Sequence, residues 1–299
     1  MFLTREVQAE LLAQAGLPPA MGEQIEPLWA PLAERALAEA RRRGGTVVVG
    51  LCGPQGSGKS TGAALVQALL ARAGAASAVL SLDDLYLGRA ERAGLAEEVH
   101  PLFAVRGPPG THEVGLGWAT LDALAETGPV RLPRFDKAAD DRCDPAGWPV
   151  VEGPVPVVLF EGWCVGARPQ PAEALAAPVN ALEAASDPDG LWRRAVNAAL
   201  AGRYQDLFCR IDLFVLLRSP GFEVVERWRT EQEHALRART GGGMSDVEVA
   251  RFVQHYERLS RWIELEAPGR ADVAVQLDAG RKIVDVQWGQ TLSLPASDP

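Results

Sequence analysis

One short segment has the residue types and the spacing of a phosphate-binding loop. Residues 53–60 read GPQGSGKS, which matches the pattern G-x-x-x-x-G-K-[ST]. Glycines at this spacing let the backbone N–H groups face phosphate oxygens, while Lys59 reaches the β- and γ-phosphates and the Ser60 hydroxyl can ligate Mg²⁺. The residues expected to contact the nucleotide are Gly53, Gln55, Gly56, Ser57, Gly58, Lys59, Ser60 and Thr61.

Carboxylates follow two other apolar runs of the sequence. Residues 77–82 predict a strand that leads into Asp83 and Asp84, and residues 155–160 predict a strand that leads into Glu161. Ligands of open α/β sheets bind at the carboxyl ends of the strands, so these groups are placed to accept a proton from a hydroxyl or to approach Mg²⁺. Two other interpretations stay open: the aspartates cap a turn, and Glu161 is a solvated strand end.

The elements that must position these groups alternate along the chain. Apolar, β-branched runs predict strands, and stretches rich in Ala and Leu predict helices, among them 61–73 and one near 116–126. This alternation predicts an α/β fold of the P-loop NTPase type, a doubly wound and mostly parallel sheet with helices on both faces. The predicted strands are 46–51, 77–82, 155–160, 211–217, 273–277 and, after a turn at 278–280, 283–288.

Two regions lie outside this alternation. Residues 1–44 predict an N-terminal helical extension, because apolar residues recur on one helical face between Ile25 and Ala36. Residues 88–154 are rich in Pro, Gly and charge, and long irregular segments inside a compact domain are often functional.

Composition excludes several classes of protein. The 299 residues carry a formal net charge of −9, which disfavours non-specific nucleic-acid binding. Four cysteines in a chain of this length do not form a disulfide scaffold. No apolar run is long enough to span a membrane and the first residues do not resemble a signal peptide, so we expect a cytoplasmic protein without a membrane partner. The sequence leaves the oligomeric state open.

Further motifs narrow the class of nucleotide-binding protein. The Asn-Lys-x-Asp motif typical of a GTPase is absent from the sequence. The pattern resembles the phosphoribulokinase and uridine kinase superfamily, in which an apolar strand ends in Asp-Ser-Phe-Tyr and the Asp is the catalytic base. Residues 83–86, DDLY, are similar in placement, and residues 109–113, PGTHE, resemble the Pro-x-x-Phe-Asp segment of those kinases. Asp136, after Phe135, and Arg142 keep the spacing of two substrate contacts in that superfamily.

Within that superfamily, the chain is identified as a member of the D-glycerate 3-kinase family. The likeness runs from about residue 47 to 277, and it implies ATP, Mg²⁺ and D-glycerate as the small-molecule substrate. This chain has Glu113 where the family usually has Asp. The matching segments are GPQGSGKST, SLDDLYL, RGPPGTHE, LPRFDKAADDR, EGWCVG, Trp228–Arg229 with Gln232–Glu233, and MSDVEVARFVQHYERL.

The resemblance assigns roles to individual residues. Asp83 is implied as the general base, with Lys59 and Glu161 as the other catalytic residues, and Ser60, Glu161 and Asp84 are the expected Mg²⁺ site. For Asp84 a structural role and a metal role are left open. Arginine binds carboxylates in bidentate fashion, which suits an acid substrate. The expected substrate contacts are Asp83, Arg106, His112, Arg134, Asp136 and Arg142.

The resemblance also implies a domain plan. Residues 45–299 would form the kinase domain, with 88–154 as a substrate-binding insert and 222–244 as a lid that brings Arg229 and Arg237 over ATP. Two alternatives stay open. One is a kinase of another small alcohol, such as uridine or pantothenate, and the other is a switch ATPase that has no acceptor.

Overall fold

The computed structural model describes residues 3–289, so residues 290–299 of the predicted kinase domain lie outside the described part. The helices within it are α1 Arg5–Gln14, α2 Gly22–Gln24, α3 Ala30–Arg43, α4 Lys59–Arg72, α5 Arg89–Glu98, α6 Val114–Ala125, α7 Ala181–Ser186, α8 Leu191–Ala201, α9 Arg203–Phe208, α10 Phe222–Thr240 and α11 Asp246–Glu266. The strands are β1 Val47–Cys52, β2 Ser77–Ser81, β3 Gly128–Arg131, β4 Phe135–Asp136, β5 Asp141–Arg142, β6 Val150–Gly153, β7 Val157–Gly162, β8 Leu213–Arg218, β9 Val273–Leu277 and β10 Ile283–Trp288.

The central sheet confirms the predicted fold class. Over residues 3–289 its strand order is β10-β9-β8-β1-β7-β2. All neighbouring pairs are parallel except β9 and β10, which form an antiparallel hairpin. The chain leaves β1 toward β2 and later returns to the other side of β1 at β8, which makes the carboxyl end of β1 a switch point where ligands bind.

The strands of this sheet are apolar because both of its faces are covered. Val47, Val49 and Leu51 of β1 point into one buried cluster, whereas Val48 and Cys52 point into the other. The first cluster includes side chains of α3, α4 and α10, and the second includes side chains of α6, α9 and α11. A strand buried on both faces is a continuous apolar run, which is why the sequence predicted these strands well.

The helices of the N-terminal region cover one face of the sheet. The apolar face predicted between Ile25 and Ala36 is buried, and Trp29 is 2% exposed. These side chains belong to the same cluster as β1 and α4. The described part of this region, residues 3–44, therefore shares the core of the rest of the chain, and the division into an extension and a kinase domain stays a prediction.

The insert 88–154 is more regular than the sequence predicted. The helix expected near 116–126 is present as α6, and two short antiparallel ladders, β3 with β6 and β4 with β5, frame the segment. The expectation of irregular structure is wrong at α5. The sequence gives few apolar signals there, but the Glu91 side chain accepts a hydrogen bond from Gly88 N at 2.7 Å and caps the helix start.

Across residues 3–289, none of the helices combines the length and the hydropathy that crossing a bilayer requires.

Close packing of α4 against Trp29 gives a test of this core. A Cβ atom at Gly62 would lie 2.3 Å from the Trp29 ring, and that ring is buried. We expect Gly62→Ala to lower the free energy of unfolding by about 1–3 kcal/mol, as overpacked cores do. Gly94 in α5 is the matched control, since a Cβ there meets nothing within 4 Å. Gly94→Ala should stabilise the protein by about 0.4–1 kcal/mol. Equal urea midpoints for the two variants would contradict this packing.

Candidate active site

The predicted phosphate-binding loop joins β1 to α4. Gly56 and Gly58 have φ angles of 78° and 87°, which favour glycine. A Cβ at Gly56 would also lie 2.5 Å from Cβ of Trp228, so the first half of α10 packs directly against the loop. Helix α4 begins at Lys59, and its positive end faces the space that the loop encloses. This combination is a cradle for phosphate groups.

The end of β7 brings a carboxylate to this cradle. The Ser60 Oγ donates to Glu161 Oε1 at 2.9 Å, and Glu161 is 5% exposed. A hydroxyl and a buried carboxylate at one point fit Mg²⁺, which binds one or two protein oxygens and completes its shell with water and substrate phosphate. Among residues 3–289 no cluster of three or more His, Cys, Asp and Glu side chains could hold a metal alone.

The turn after β2 holds Asp83. Its Oδ1 accepts a hydrogen bond from the Tyr86 hydroxyl at 2.8 Å, and its Oδ2 accepts one from Lys137 Nζ at 2.6 Å. Burial raises the pKa of Asp83, but the positive charges of Lys137 and Lys59 and the two hydrogen bonds outweigh burial and hold the pKa well below its ordinary value. Asp83 is therefore ionised at neutral pH, as a proton acceptor must be.

Lys137 is a site residue that the sequence reasoning missed. It lies in the insert directly after Asp136, and the charge of Asp83 raises its pKa. One signal was available in the sequence, since the chain has only the lysines Lys59, Lys137 and Lys282. A lysine in an arginine-rich chain stands out, but its contact with Asp83 depends on how the insert folds over β2.

Asp84 points away from the phosphate cradle and into the insert. Its Oδ1 accepts from the backbone N–H of Phe135 at 3.1 Å, and its Oδ2 accepts from Arg134 Nη1 at 3.3 Å. Burial raises the pKa of Asp84 above its ordinary value. These contacts favour the structural role that the sequence left open, and a metal role for Asp84 has no support from the geometry.

The structure does not bring all the predicted substrate residues together. Arg142 donates to the Tyr86 carbonyl at 2.9 Å and pairs with Glu91 at 2.9 Å. Asp136 accepts hydrogen bonds from the N–H groups of Ala138 and Ala139, so it caps the turn that presents Lys137. Together with Arg134, these residues stabilise the insert, and a direct substrate contact by them stays a prediction.

His112 is buried behind the turn that holds Asp83. Its ring stacks on Tyr86 at 4.6 Å between centroids, and its Nδ1 lies 2.6 Å from the Tyr204 hydroxyl. Burial lowers the pKa of His112 to about 3, so the imidazole is neutral at physiological pH. The ring therefore positions Tyr86, and through it Asp83.

A cavity of about 720 Å³ lies between the insert and the helices α10 and α11. Arg106, Lys137 and Arg229 line it, and Asp140, Glu233 and Glu248 are the acidic residues of the lining. Arg106 pairs with Asp140, and Arg229 pairs with Glu233 at 2.5 Å while its guanidinium lies 5.6 Å from the Phe252 ring centroid. An arginine has five N–H donors, so one carboxylate does not saturate it. The cavity can therefore bind an anionic ligand beside Lys137 and Asp83.

The two arginines assigned to a lid over ATP are separated in the structure. Arg229 faces the cavity that Lys137 lines, whereas Arg237 donates to Asp246 at 2.7 Å where α11 begins. Trp228, in the first half of α10, is fully buried. Contact of either arginine with ATP stays a prediction, and the position of Arg229 suits the acceptor better.

A phosphate cradle after β1, an ionised carboxylate after β2 and a cavity lined by cationic side chains beside it are the features of a P-loop kinase that acts on a small molecule. Comparisons with known proteins agree. The chain is 37% identical over 228 residues to the uncharacterized kinase mug58 of Schizosaccharomyces pombe. This match covers 73% of this chain and 81% of that protein. It is 36% identical over 220 residues to the chloroplastic D-glycerate 3-kinase of Arabidopsis thaliana, covering 70% of this chain and 46% of that protein.

A solved structure shows the same likeness in three dimensions. The D-glycerate 3-kinase from Cryptococcus neoformans superposes with a TM-score of 0.73 at 27% identity, covering 88% of this chain and 99% of that one. No family model matches the chain. The chain belongs to the D-glycerate 3-kinase family of ATP-dependent P-loop kinases.

Proposed function

We propose that this kinase transfers the γ-phosphoryl group of Mg·ATP to the C3 hydroxyl of D-glycerate, giving 3-phosphoglycerate and ADP. The observation that carries the proposal is the position of Asp83 next to the cavity. Lys137 donates a hydrogen bond to Asp83 and also lines this cavity, together with Arg106 and Arg229. The names of two relatives, the Arabidopsis enzyme and the Cryptococcus structure, support D-glycerate as the acceptor.

Phosphoryl transfer requires mainly that the protein position the two substrates and neutralise the charge on the phosphates. The backbone of the loop and Lys59 would hold the phosphates, and Ser60 and Glu161 would hold Mg²⁺. Bound Mg²⁺ supplies neutralisation of the charge on the β- and γ-phosphates. The acceptor oxygen forms a bond to the γ-phosphorus while the bond to the bridging oxygen breaks, and ADP leaves with that electron pair. Asp83 takes the proton of the acceptor hydroxyl.

The cationic side chains of the cavity select an acid. A carboxylate can accept hydrogen bonds from Arg229 and Arg106, and such charge-assisted bonds contribute about 1.5–3 kcal/mol each. Glycerol is the matched comparison, since it keeps the two hydroxyls of glycerate and has a third hydroxyl group in place of the carboxylate. An acceptor without a negative charge would make no charge-assisted hydrogen bond to these arginines. Such an acceptor should therefore bind more weakly than D-glycerate.

We therefore expect ADP release to be stimulated by D-glycerate and not by glycerol at equal concentration. Arg229→Met should raise KM for D-glycerate by about tenfold or more, while KM for ATP stays unchanged. Arg237→Met is the matched control, because Arg237 lies on the same helix and pairs with Asp246. It should change KM for D-glycerate by less than about twofold.

A different acceptor would change the proposal. Stimulation by uridine or pantothenate in place of D-glycerate would keep the kinase and replace its substrate. Steady ATP hydrolysis that no acceptor stimulates would favour a switch ATPase, for which Asp83 has no evident use.

A further inference from the structure

Two buried aromatic rings hold the backbone that presents Arg106 to the acceptor cavity. Tyr256 of α11 donates from its hydroxyl to the Arg106 carbonyl at 3.1 Å, and Trp163 donates from Nε1 to the Gly107 carbonyl at 3.1 Å. Tyr256 is 2% exposed and Trp163 is 3% exposed. The two rings meet edge to face, with their centroids 4.8 Å apart. Tyr256 and Trp163 together form an aromatic clamp on residues 106 and 107.

Gly107 shows how closely the clamp encloses this backbone. Its φ angle is 131°, and a Cβ atom there would lie 2.0 Å from the Tyr256 hydroxyl oxygen. The same turn is fixed a second time, because Gly107 N donates to Thr111 Oγ1 at 3.0 Å. Burial raises the pKa of Tyr256 above its ordinary value, so its hydroxyl keeps the proton that it donates. The main chain of Arg106 is therefore held firmly against α11.

The clamp also joins this turn to the phosphate cradle. Trp163 directly follows β7, two residues after Glu161, and its carbonyl accepts a hydrogen bond from Cys52 Sγ of β1 at 3.4 Å. Glu161 in turn accepts the hydrogen bond from Ser60 of the cradle. A continuous set of buried contacts therefore connects the cradle with the backbone of Arg106.

Tyr256 supports the acceptor cavity from behind. Arg106 lines the cavity, and Tyr256 is not among the described residues that line it. The Tyr256 hydroxyl bonds the main chain of Arg106, while the Arg106 guanidinium pairs with Asp140 and lies 5.7 Å from the Phe135 ring centroid. Supports on the main chain and on the side chain together restrict the guanidinium to one position at the cavity.

We propose that Tyr256 is a positioning residue for the acceptor, which fixes the main chain of Arg106 so that its guanidinium meets the substrate carboxylate in a preformed position. The inference rests on the proposed function, since it takes an acid as the acceptor. Such preorganisation raises affinity, because the side chain does not have to be ordered when the substrate binds. Motif spacing gives no sign of this contact, since the two residues are 150 positions apart.

The test is a double-mutant cycle on KM for D-glycerate, measured on the full chain. Tyr256→Phe keeps the ring and removes the donor to the Arg106 carbonyl. We expect it to raise KM by about threefold to tenfold and to leave kcat within about twofold of the wild-type value. Arg106→Met alone should raise KM by about tenfold. The double variant should have the KM of Arg106→Met within about twofold, because Tyr256 acts through Arg106.

Two further variants make the result specific to the clamp. Trp262→Phe is the matched control, since Trp262 lies on the same helix and donates from Nε1 to the Arg168 carbonyl at 2.9 Å, away from the residues that line the acceptor cavity. It should change KM by less than about twofold. Trp163→Phe removes the other donor of the clamp. It repeats the cycle from the second ring and decides the outcome if Tyr256→Phe does not fold.

The outcomes separate this inference from the proposed function. A KM for D-glycerate that Tyr256→Phe leaves unchanged overturns the positioning role alone. An equal rise in KM from Tyr256→Phe with and without the Arg106→Met substitution also overturns it, because a general loss of structure does not depend on Arg106. Failure of the unaltered protein to phosphorylate D-glycerate overturns the proposed function and this inference with it.

Discussion

Asp83→Asn is expected to lower kcat by about 10²–10⁴-fold and to leave the affinity for ATP unchanged. The asparagine keeps the size of the carboxylate, and its oxygen can still accept a hydrogen bond from Tyr86 or Lys137, so the turn after β2 should keep its shape. What is lost is the group that takes the proton of the acceptor hydroxyl. Steady-state kinetics with D-glycerate give kcat, and titration with ATP gives the affinity.

Asp84→Asn is the matched control for this variant. Asp84 is the next residue, but its carboxylate bonds Phe135 N and Arg134 in the insert. Its replacement should lower thermal stability more than Asp83→Asn does, and it should lower kcat less. The reverse ranking of the two kcat values would make Asp84 the base and would refute the assignment of Asp83.

Lys137→Met is expected to have the second large effect, on both KM for D-glycerate and the pH profile. Lys137 lines the acceptor cavity and donates to Asp83, so its loss should raise KM for D-glycerate by about tenfold to a hundredfold. The substitution should also shift the acid limb of the pH profile of kcat/KM to higher pH. Lys137 holds the pKa of Asp83 below its ordinary value, and without that charge burial raises the pKa. The base is then protonated at a higher pH.

The pH profile of kcat/KM separates this effect from a general loss of structure. In the wild type the limb due to Asp83 should lie below the ordinary range of a carboxyl group, and in Lys137→Met activity should fall at a higher pH as the solution is acidified. Arg42→Met is the control, since Arg42 is an exposed cation on α3 that pairs with Glu39. An acid limb at the same pH in all three proteins would contradict the coupling of Lys137 to Asp83.

The local parts of the site were predictable from the sequence. The loop at 53–60 is a contiguous pattern whose glycines meet a backbone requirement, and the strands around it are apolar because both faces of the sheet are buried. Asp83 was predictable because the carboxyl end of a strand beside β1 has a fixed place in this topology.

The acceptor cavity was not predictable in the same way. Lys137 reaches Asp83 only because β4, β5 and the turn capped by Asp136 fold back over β2. Spacing predicted Arg142 as a substrate contact, and it did not reveal that the Arg142 guanidinium pairs with Glu91 and donates to the Tyr86 carbonyl. Such contacts join residues far apart in the sequence, and motif spacing contains no information about them.

The position of Arg229 illustrates the same limit on a helix. The sequence predicted that Arg229 and Arg237 act together in a lid, but two residues eight apart on a helix lie about 12 Å apart along its axis. The structure gives the two arginines different partners: α11 begins beside Arg237 and supplies Asp246, whereas Glu233 and Phe252 contact Arg229 where it lines the cavity. Helix periodicity alone does not reveal which neighbour each arginine meets.

The most direct test of the kinase assignment follows the phosphoryl group itself. ATP labelled with ³²P at the γ position is incubated with D-glycerate, Mg²⁺ and either the wild-type protein or Asp83→Asn, and the products are separated by chromatography. We expect the wild type to place label in 3-phosphoglycerate in equal amount to the ADP formed, and Asp83→Asn to form almost none. Label released only as inorganic phosphate, at the same rate with and without D-glycerate, would contradict the proposed function.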